Sequence, residues 1–454
     1  MTAPLAESDD RGARLRRLLR GAMGGLVLKA AGVVLAFASQ LLLARTLGVA
    51  GFGVYATVLA WCTVLALLGG FGMPLASVRF LAIYAERHDW AQYRGFLHDA
   101  WRLTVASSLA IAALVLAGFA VVPALQAMLL PMAIGAPMIL LLCASGLASG
   151  AFLAAQMPLY AEGLGNVSRP VLLILLLVAI MLPGGAIDAE LALALTVLAG
   201  LLVLVLQGGV LWRVAGARFR GARAHGDRPA WFRSGSAFLV TLGAFALVER
   251  LDMIMVGSML GPAEAGSYAV ASRLALLVGV ALAPANAMLG PMSAQLIARG
   301  DRPGLQHLVS QGVLLSGGVA LLLSLGLAVC APWLLGLFGP GFTGGGDLLM
   351  VLAFGQCLIA QFGPAGGLLA MAGHNRLLVA MMLATVVLDL ALCLVLIPRL
   401  GALGAALATA IALAANGLAL SLAASRLIGV NTTSPGSVRQ LLRNRALRAK
   451  GGVA

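Results

Sequence analysis

Charged side chains make up only 10% of this 454-residue chain, and they are lopsided, with 30 Lys or Arg against 16 Asp or Glu. A soluble domain carries about 25% charged residues, so no water-facing surface can be assembled from this composition. Aromatic residues are also sparse, at 6%, and there are 5 cysteines. Cys62, Cys143, Cys330, Cys357 and Cys393 all lie inside apolar runs without metal-ligand spacing, and are expected to pack as small apolar groups rather than form disulfides. No cleavable signal peptide is evident. Residues 1–20 are polar and basic, and the apolar run after them is too long for a signal core, so the first span is expected to stay as an anchor. His88, His98, His225, His307 and His374 fall at loops or span edges with no ligand spacing, and no cofactor is implied. The outer loops are short, and the long inner ones hold Arg and Gly but no acid–base pair, which argues against a membrane enzyme.

What fills the chain is apolar sequence: 61% hydrophobic residues and a mean hydropathy of +1.02. A helix needs roughly 20 apolar residues to cross the hydrocarbon core. Reading apolar runs against charged or Gly/Pro breaks predicts twelve spans, near 24–44, 53–78, 102–122, 134–156, 169–183, 190–212, 235–259, 265–290, 308–331, 346–371, 377–397 and 401–425. With both termini inside, every basic residue except Arg45, Arg250, Arg273 and Arg399 falls on the cytoplasmic side, as the positive-inside rule requires. The net charge of +14 therefore reflects topology and anionic lipid, and does not imply nucleic acid.

The chain also repeats itself. Leu47-Gly48, Gly53 and Tyr55-Ala56 recur, all at one common offset, as Leu260-Gly261, Gly266 and Tyr268-Ala269. Downstream the echo resumes with one position lost, Arg87-x-Asp89 recurring as Arg299-x-Asp301. An offset of nearly half the chain means two copies of one unit. Six spans per copy give both copies the same orientation, so the expected architecture is all-α, with two parallel six-helix bundles about a pseudo-two-fold axis along the membrane normal. The domains then read as a basic cytoplasmic N-terminus (1–22), a first bundle (23–212), a cytoplasmic linker (213–234), a second bundle (235–426) and a basic cytoplasmic tail (427–454). Within the tail, 437–448 reads as disorder or as a short amphipathic helix on the inner leaflet. The repeated motif reads as a tight outer turn, with glycine permitting the turn and Tyr55 and Tyr268 as interfacial anchors. Two such bundles around a central cavity are built to rock between inward and outward openings.

The segment 40–55, Gln-Leu-Leu-Leu-Ala-Arg-Thr-Leu-Gly-Val-Ala-Gly-Phe-Gly-Val-Tyr, resembles the first hairpin of polysaccharide and lipid-linked oligosaccharide flippases of the multidrug/oligosaccharidyl-lipid/polysaccharide (MOP) exporter superfamily. Gly70-Phe71-Gly72, the stretch 298–301 and the stretch 399–409 are similar to that family too, and the resemblance covers nearly the whole chain. It implies a multi-pass transporter of the bacterial inner membrane, not an enzyme. Such a protein exports undecaprenyl-diphosphate-linked sugar units for O-antigen, capsule or exopolysaccharide, among membrane lipids and polysaccharide assembly proteins. The other branch of the superfamily, the multidrug and toxin extrusion antiporters, exports organic cations against H⁺ or Na⁺.

Charges inside spans are expensive and usually line a cavity or pair with each other. Glu249, Arg250 and Asp252 in the seventh span, Arg273 in the eighth and Asp389 in the eleventh form such a set. Asp252 and Arg273 sit at one depth on either side of the turn at Pro262-Ala263, roughly 15 Å along their helices at ~1.5 Å per residue, so a pair across the hairpin is expected. Either that pair only locks two helices, or Arg250 and Arg273 contact a diphosphate, for which guanidinium is suited, while Glu249, Asp252 or Asp389 binds a coupling H⁺ or Na⁺. Arg45, at the outer end of the first span, either snorkels to the headgroups or guards the outer mouth. Asn286 and Asn416 are expected to form interhelical hydrogen bonds, and Pro284 and Pro364 to kink their helices. The first-half counterparts of Arg250, Asp252 and Arg273 are Phe37, Ser39 and Ala60, all uncharged.

Overall fold

The computed structural model describes residues 4–219, 226, 228–434 and 436, without the side chains of 4–23, 26, 124, 215–219, 241 and 280–288. Arg220, Arg223, His225 and the tail at 437–448 lie outside the described residues, as do the side chains of Pro284 and Asn286. Among the described residues there is no strand. The order is α1 (Pro4–Gly70), α2 (Met73–Glu86), α3 (Trp90–Val121), α4 (Leu129–Gly135), α5 (Pro137–Ala154), α6 (Pro158–Glu162), α7 (Ser168–Met181), α8 (Ala189–Phe219), α9 (Arg228–Met259), α10 (Pro262–Arg299), α11 (Arg302–Phe338), α12 (Gly346–Ala360), α13 (Ala365–Met371), α14 (Asn375–Leu400) and α15 (Ala402–Leu427). A polytopic chain has to fold this way, because backbone amides in hydrocarbon find partners only within helices or closed barrels.

Nine runs among the described residues are long and apolar enough to cross a membrane. The first, Val27–Gly70, is 44 residues long. It is broken at Gly48, whose φ of 66° and ψ of −176° are not helical. Its two arms, together with α9 and α10 (32 and 38 residues), recover the twelve runs read from the sequence. The fifth run differs from its expected start at 169. It begins at Pro158 and passes through a π-helical turn at Gly163–Val167, so Glu162, Asn166 and Arg169 lie within the helical run rather than in a loop. Hydropathy stops at those polar residues, but the helix does not. Helix also occupies most of the stretch read as a linker, because α8 continues to Phe219 and α9 begins at Arg228.

The duplication is written in the turns. Gly48 (φ 66°) and Gly261 (φ 94°) share a ψ of −176°, an extended conformation with positive φ that needs glycine. The next glycines pack reciprocally: a Cβ on Gly53 would clash with the Pro262 carbonyl, and one on Gly266 with the Val49 carbonyl. At the following turn Asp89 Oδ1 accepts from Gln92 N at 3.0 Å and Asp301 Oδ1 from Gly304 N at 2.9 Å, each capping a helix N-terminus. The residues before them, His88 (φ 55°) and Gly300 (φ 69°), are both left-handed. Two further turns match at a slightly larger offset, common to both. They are the 3₁₀ turns Pro123–Met128 and Pro340–Gly345, and the left-handed residues Gln156 (φ 59°) and Gly373 (φ 86°). The extra residues sit in α11, 37 residues long where α3 has 32.

The chain divides into two compact units, Met1–Leu47 with Val58–Gly243, and Gly48–Thr57 with Ala244–Ala454. The first has an aromatic-rich core in which Tyr84, Tyr93, Phe96 and Trp231 pack with Met73, Leu81 and Leu147. The first turns of α9 dock into it. Trp231 Nε1 donates to Tyr84 Oη at 2.7 Å, and Arg228 reaches Asp99 through Nε (2.7 Å) and Nη2 (3.2 Å). In the second unit the chain after α15 returns as a strap. The buried Gln306 side chain grips the Asn431 backbone at both ends, at 2.7 and 2.9 Å, and Thr432 Oγ1 donates to Ser421 Oγ at 2.7 Å.

Candidate functional site

The charged residues of the α9–α10 hairpin and α14 form two neighbouring groups, joined by the electrostatic reach of Arg250 to Asp252. The first is built on the α9–α10 hairpin, α14 and α15. Asp252 is buried on α9, where Met253 N donates to its Oδ1 at 2.6 Å and the Tyr268 hydroxyl of α10 donates to its Oδ2. Asp389, 1% exposed on α14, is within electrostatic reach of Asp252, and Thr409 of α15 is close to both. Cys393, one turn on from Asp389, lies 3.9 Å from its Oδ1. Asp389 Oδ2 and Thr409 Oγ1 are both buried without a well-formed hydrogen bond. Two carboxylates, a phenol and a hydroxyl therefore converge in a buried place that still has unused oxygen ligands.

The second group is cationic. Arg273, half-buried on α10, stands within electrostatic reach of Arg250 and Glu249 on α9 and of Tyr55. Arg250 Nε is buried without a hydrogen-bond partner, and Glu249 is exposed at the protein surface. A guanidinium kept out of water and next to a second one is suited to an incoming anion with several oxygens.

The expected Asp252–Arg273 pair is not formed. Equal spacing from a turn does not fix the direction around the helix. Arg273 is five residues past Tyr268, a rotation of about 140° at 3.6 residues per turn, so the helix face that gives Tyr268 to Asp252 carries Arg273 away from it. The expected interfacial role of the motif tyrosines is also corrected: Tyr55 and Tyr268 are 1% and 0% exposed. Tyr55 stacks near Phe52, with ring centroids 6.2 Å apart, and Tyr268 spends its hydroxyl on a carboxylate. Asn416 Oδ1 is buried without the interhelical hydrogen bond expected of it. Arg45 is exposed and belongs to the first unit, just before the break at Gly48. Tyr268, Thr409 and Cys393 were missed by the sequence reading. The Asp389–Cys393 spacing of one helical turn was a usable signal, whereas Thr409 carried none. Among the described residues no three His, Cys, Asp or Glu side chains converge as a metal site.

Residues 18–297 match the family model described as polysaccharide biosynthesis protein, which is more than half of the chain. Residues 238–395 match the MatE family model. No curated protein matches by sequence. Among solved structures, an inward-facing multidrug resistance MATE family transporter of the MOP superfamily is similar with a TM-score of 0.74 at 12% identity, over 90% of this chain and 98% of that one. The lipid II flippase MurJ in an inward closed conformation gives 0.67 at 12% identity, over 90% and 87%. A MOP superfamily transporter from Pyrococcus furiosus, described as having a binding pocket of reversed polarity, gives 0.54 at 12% identity, over 90% and 95%. At such identities these likenesses establish the fold.

Proposed function

The chain belongs to the family of polysaccharide biosynthesis proteins, and on that premise we propose that it flips undecaprenyl-diphosphate-linked oligosaccharide units across the bacterial inner membrane by alternating access. The product would feed O-antigen, capsule or exopolysaccharide assembly, alongside the proteins that polymerise and export it. The multi-pass helical fold and the MOP-superfamily relatives support a transporter rather than an enzyme.

One observation carries the reading: two half-buried arginines and a buried carboxylate pair lie close together in one unit, with Arg250 within electrostatic reach of Asp252, and neither group is demanded by the repeat. Arg250 and Arg273 take the diphosphate. Two neighbouring carboxylates in a buried site hold a proton or a cation between them, so Asp252 and Asp389, with Glu249 at the surface, couple export to H⁺ or Na⁺.

Translocation of a lipid-linked oligosaccharide in proteoliposomes tests this directly. Arg250→Ala and Arg273→Ala should each lower the rate at least tenfold, and Asp389→Asn should make it insensitive to an imposed gradient. If both arginine variants flip at the wild-type rate, the assignment is wrong. A second reading is a cation antiporter of the multidrug and toxin extrusion type. The MatE match supports it, because residues 238–395 include Glu249, Asp252 and Asp389. Gradient-driven efflux of a cationic dye without glycan transport would select that reading.

A further inference from the structure

The first unit contains a cavity of about 320 Å³ between α5, the α6–α7 run and α8. Its walls are mainly Leu, Met, Val and Gly, and they present five polar side chains: Ser145, Ser149, Glu162, Asn166 and Arg169. Volume and lining both fit the small end of ligand sites, which are mostly apolar with a few placed polar groups.

Three features mark it as more than a packing gap. First, the polar residues enter through the π-helical turn Gly163–Val167, a distortion that is frequent at functional sites. Second, the repeat does not ask for them. The register that aligns Gln156 with Gly373 places Glu162, Asn166 and Arg169 opposite Val379, Leu383 and Val386, on the uninterrupted helix α14. Third, polar capacity is left over at the wall. Gln207 is fully buried behind Ser149 and Gly165, its amide nitrogen donates to Ser149 Oγ at 3.4 Å, and its carbonyl oxygen has no partner. Asn166 Nδ2 donates to Glu162 Oε2 at 2.7 Å, which holds that pair at the cavity edge beside the half-buried Arg169.

We infer that this cavity is a second recognition site, in the first unit, for the phosphate-bearing head of the transported molecule. Arg169 engages phosphate, while Asn166, Glu162, Ser145 and Ser149 meet the hydroxyls of the attached sugar. Arg169 lies midway along the run Pro158–Met181, inside the span rather than at its end. The inference rests on the flippase reading and adds to it a site in the first unit, lined by residues other than Arg250 and Arg273.

Binding to the full-length protein in detergent, measured calorimetrically, tests it with three probes: inorganic diphosphate, farnesyl diphosphate and farnesol. Arg169→Gln should weaken both diphosphates on the order of tenfold or more and leave farnesol unchanged, with Arg169→Lys intermediate. Asn166→Ala, which keeps the cation, should leave inorganic diphosphate bound. A preference for farnesyl diphosphate over the inorganic ion identifies a lipid-linked head rather than free phosphate. Unchanged diphosphate affinity in Arg169→Gln, with loss in a parallel Arg273→Gln, overturns the second site and leaves the flippase reading standing. Wild-type protein that binds neither diphosphate overturns both.

Discussion

Tyr268 is fully buried and gives its hydroxyl to a carboxylate. Removing a hydrogen bond to a charged group costs about 1.5–3 kcal/mol, against about 0.5–1.5 kcal/mol for a neutral one. Tyr268→Phe should therefore destabilise the protein by about 1.5–3 kcal/mol. The substitution deletes one oxygen and keeps the buried ring, so packing changes little. Reversible unfolding in mixed micelles gives the value. A double-mutant cycle with Asp252→Asn isolates the pair, with an expected coupling energy of about 0.5–3 kcal/mol. A loss below about 0.5 kcal/mol for Tyr268→Phe, with no coupling to Asp252, would refute the claim that Tyr268 organises the site.

Gly53→Ala and Gly266→Ala should each destabilise by about 1–3 kcal/mol through overpacking, and the pair should be non-additive because each glycine faces the other copy's hairpin; thermal unfolding reads both. Asp89→Ala and Asp301→Ala each remove a helix N-cap, an expected loss of about 1 kcal/mol, additive in the double variant by the same measurement. Trp231→Phe keeps the ring contact with Phe96 but loses the bond to Tyr84; proteolysis should then cut faster at the start of α9 than in wild type.

The parts of the fold that obey one-dimensional rules were readable from the sequence. Apolar runs gave the spans, and paired glycines gave the outer turns, since only glycine adopts the conformation at 48 and 261. The repeated Arg-x-Asp marked a second matching place in the two copies, where each Asp caps a helix. The matches at Pro123 and Pro340 were not legible, because 3₁₀ turns have no strong residue signature and the added length of α11 broke the register. In the site, Asp252, Arg273 and Asp389 stood out because ionisable groups are rare in spans. Their partners did not. Whether Tyr268 or Arg273 meets Asp252 depends on helix rotation, and Thr409 joins from α15, a helix far along the chain from the hairpin. Arg169 was hidden by its setting: next to a polar stretch it reads as a loop residue, and only the π turn reveals it as the wall of a cavity.

Helix α9 has a consequence for how the two halves of the gene can be handled. Its residues up to Gly243 belong to the first compact unit and those from Ala244 to the second, while the hairpin tip Gly48–Thr57 belongs to the second unit although it lies in the first half of the sequence. The halves have therefore traded segments. A cut in the 220s, the obvious place by sequence, would leave the first fragment without Trp231 in its aromatic core and the second without the partner for Gly266. Expressed together, the two fragments should therefore be more stable than either one alone, because each lacks a segment that its own compact unit needs.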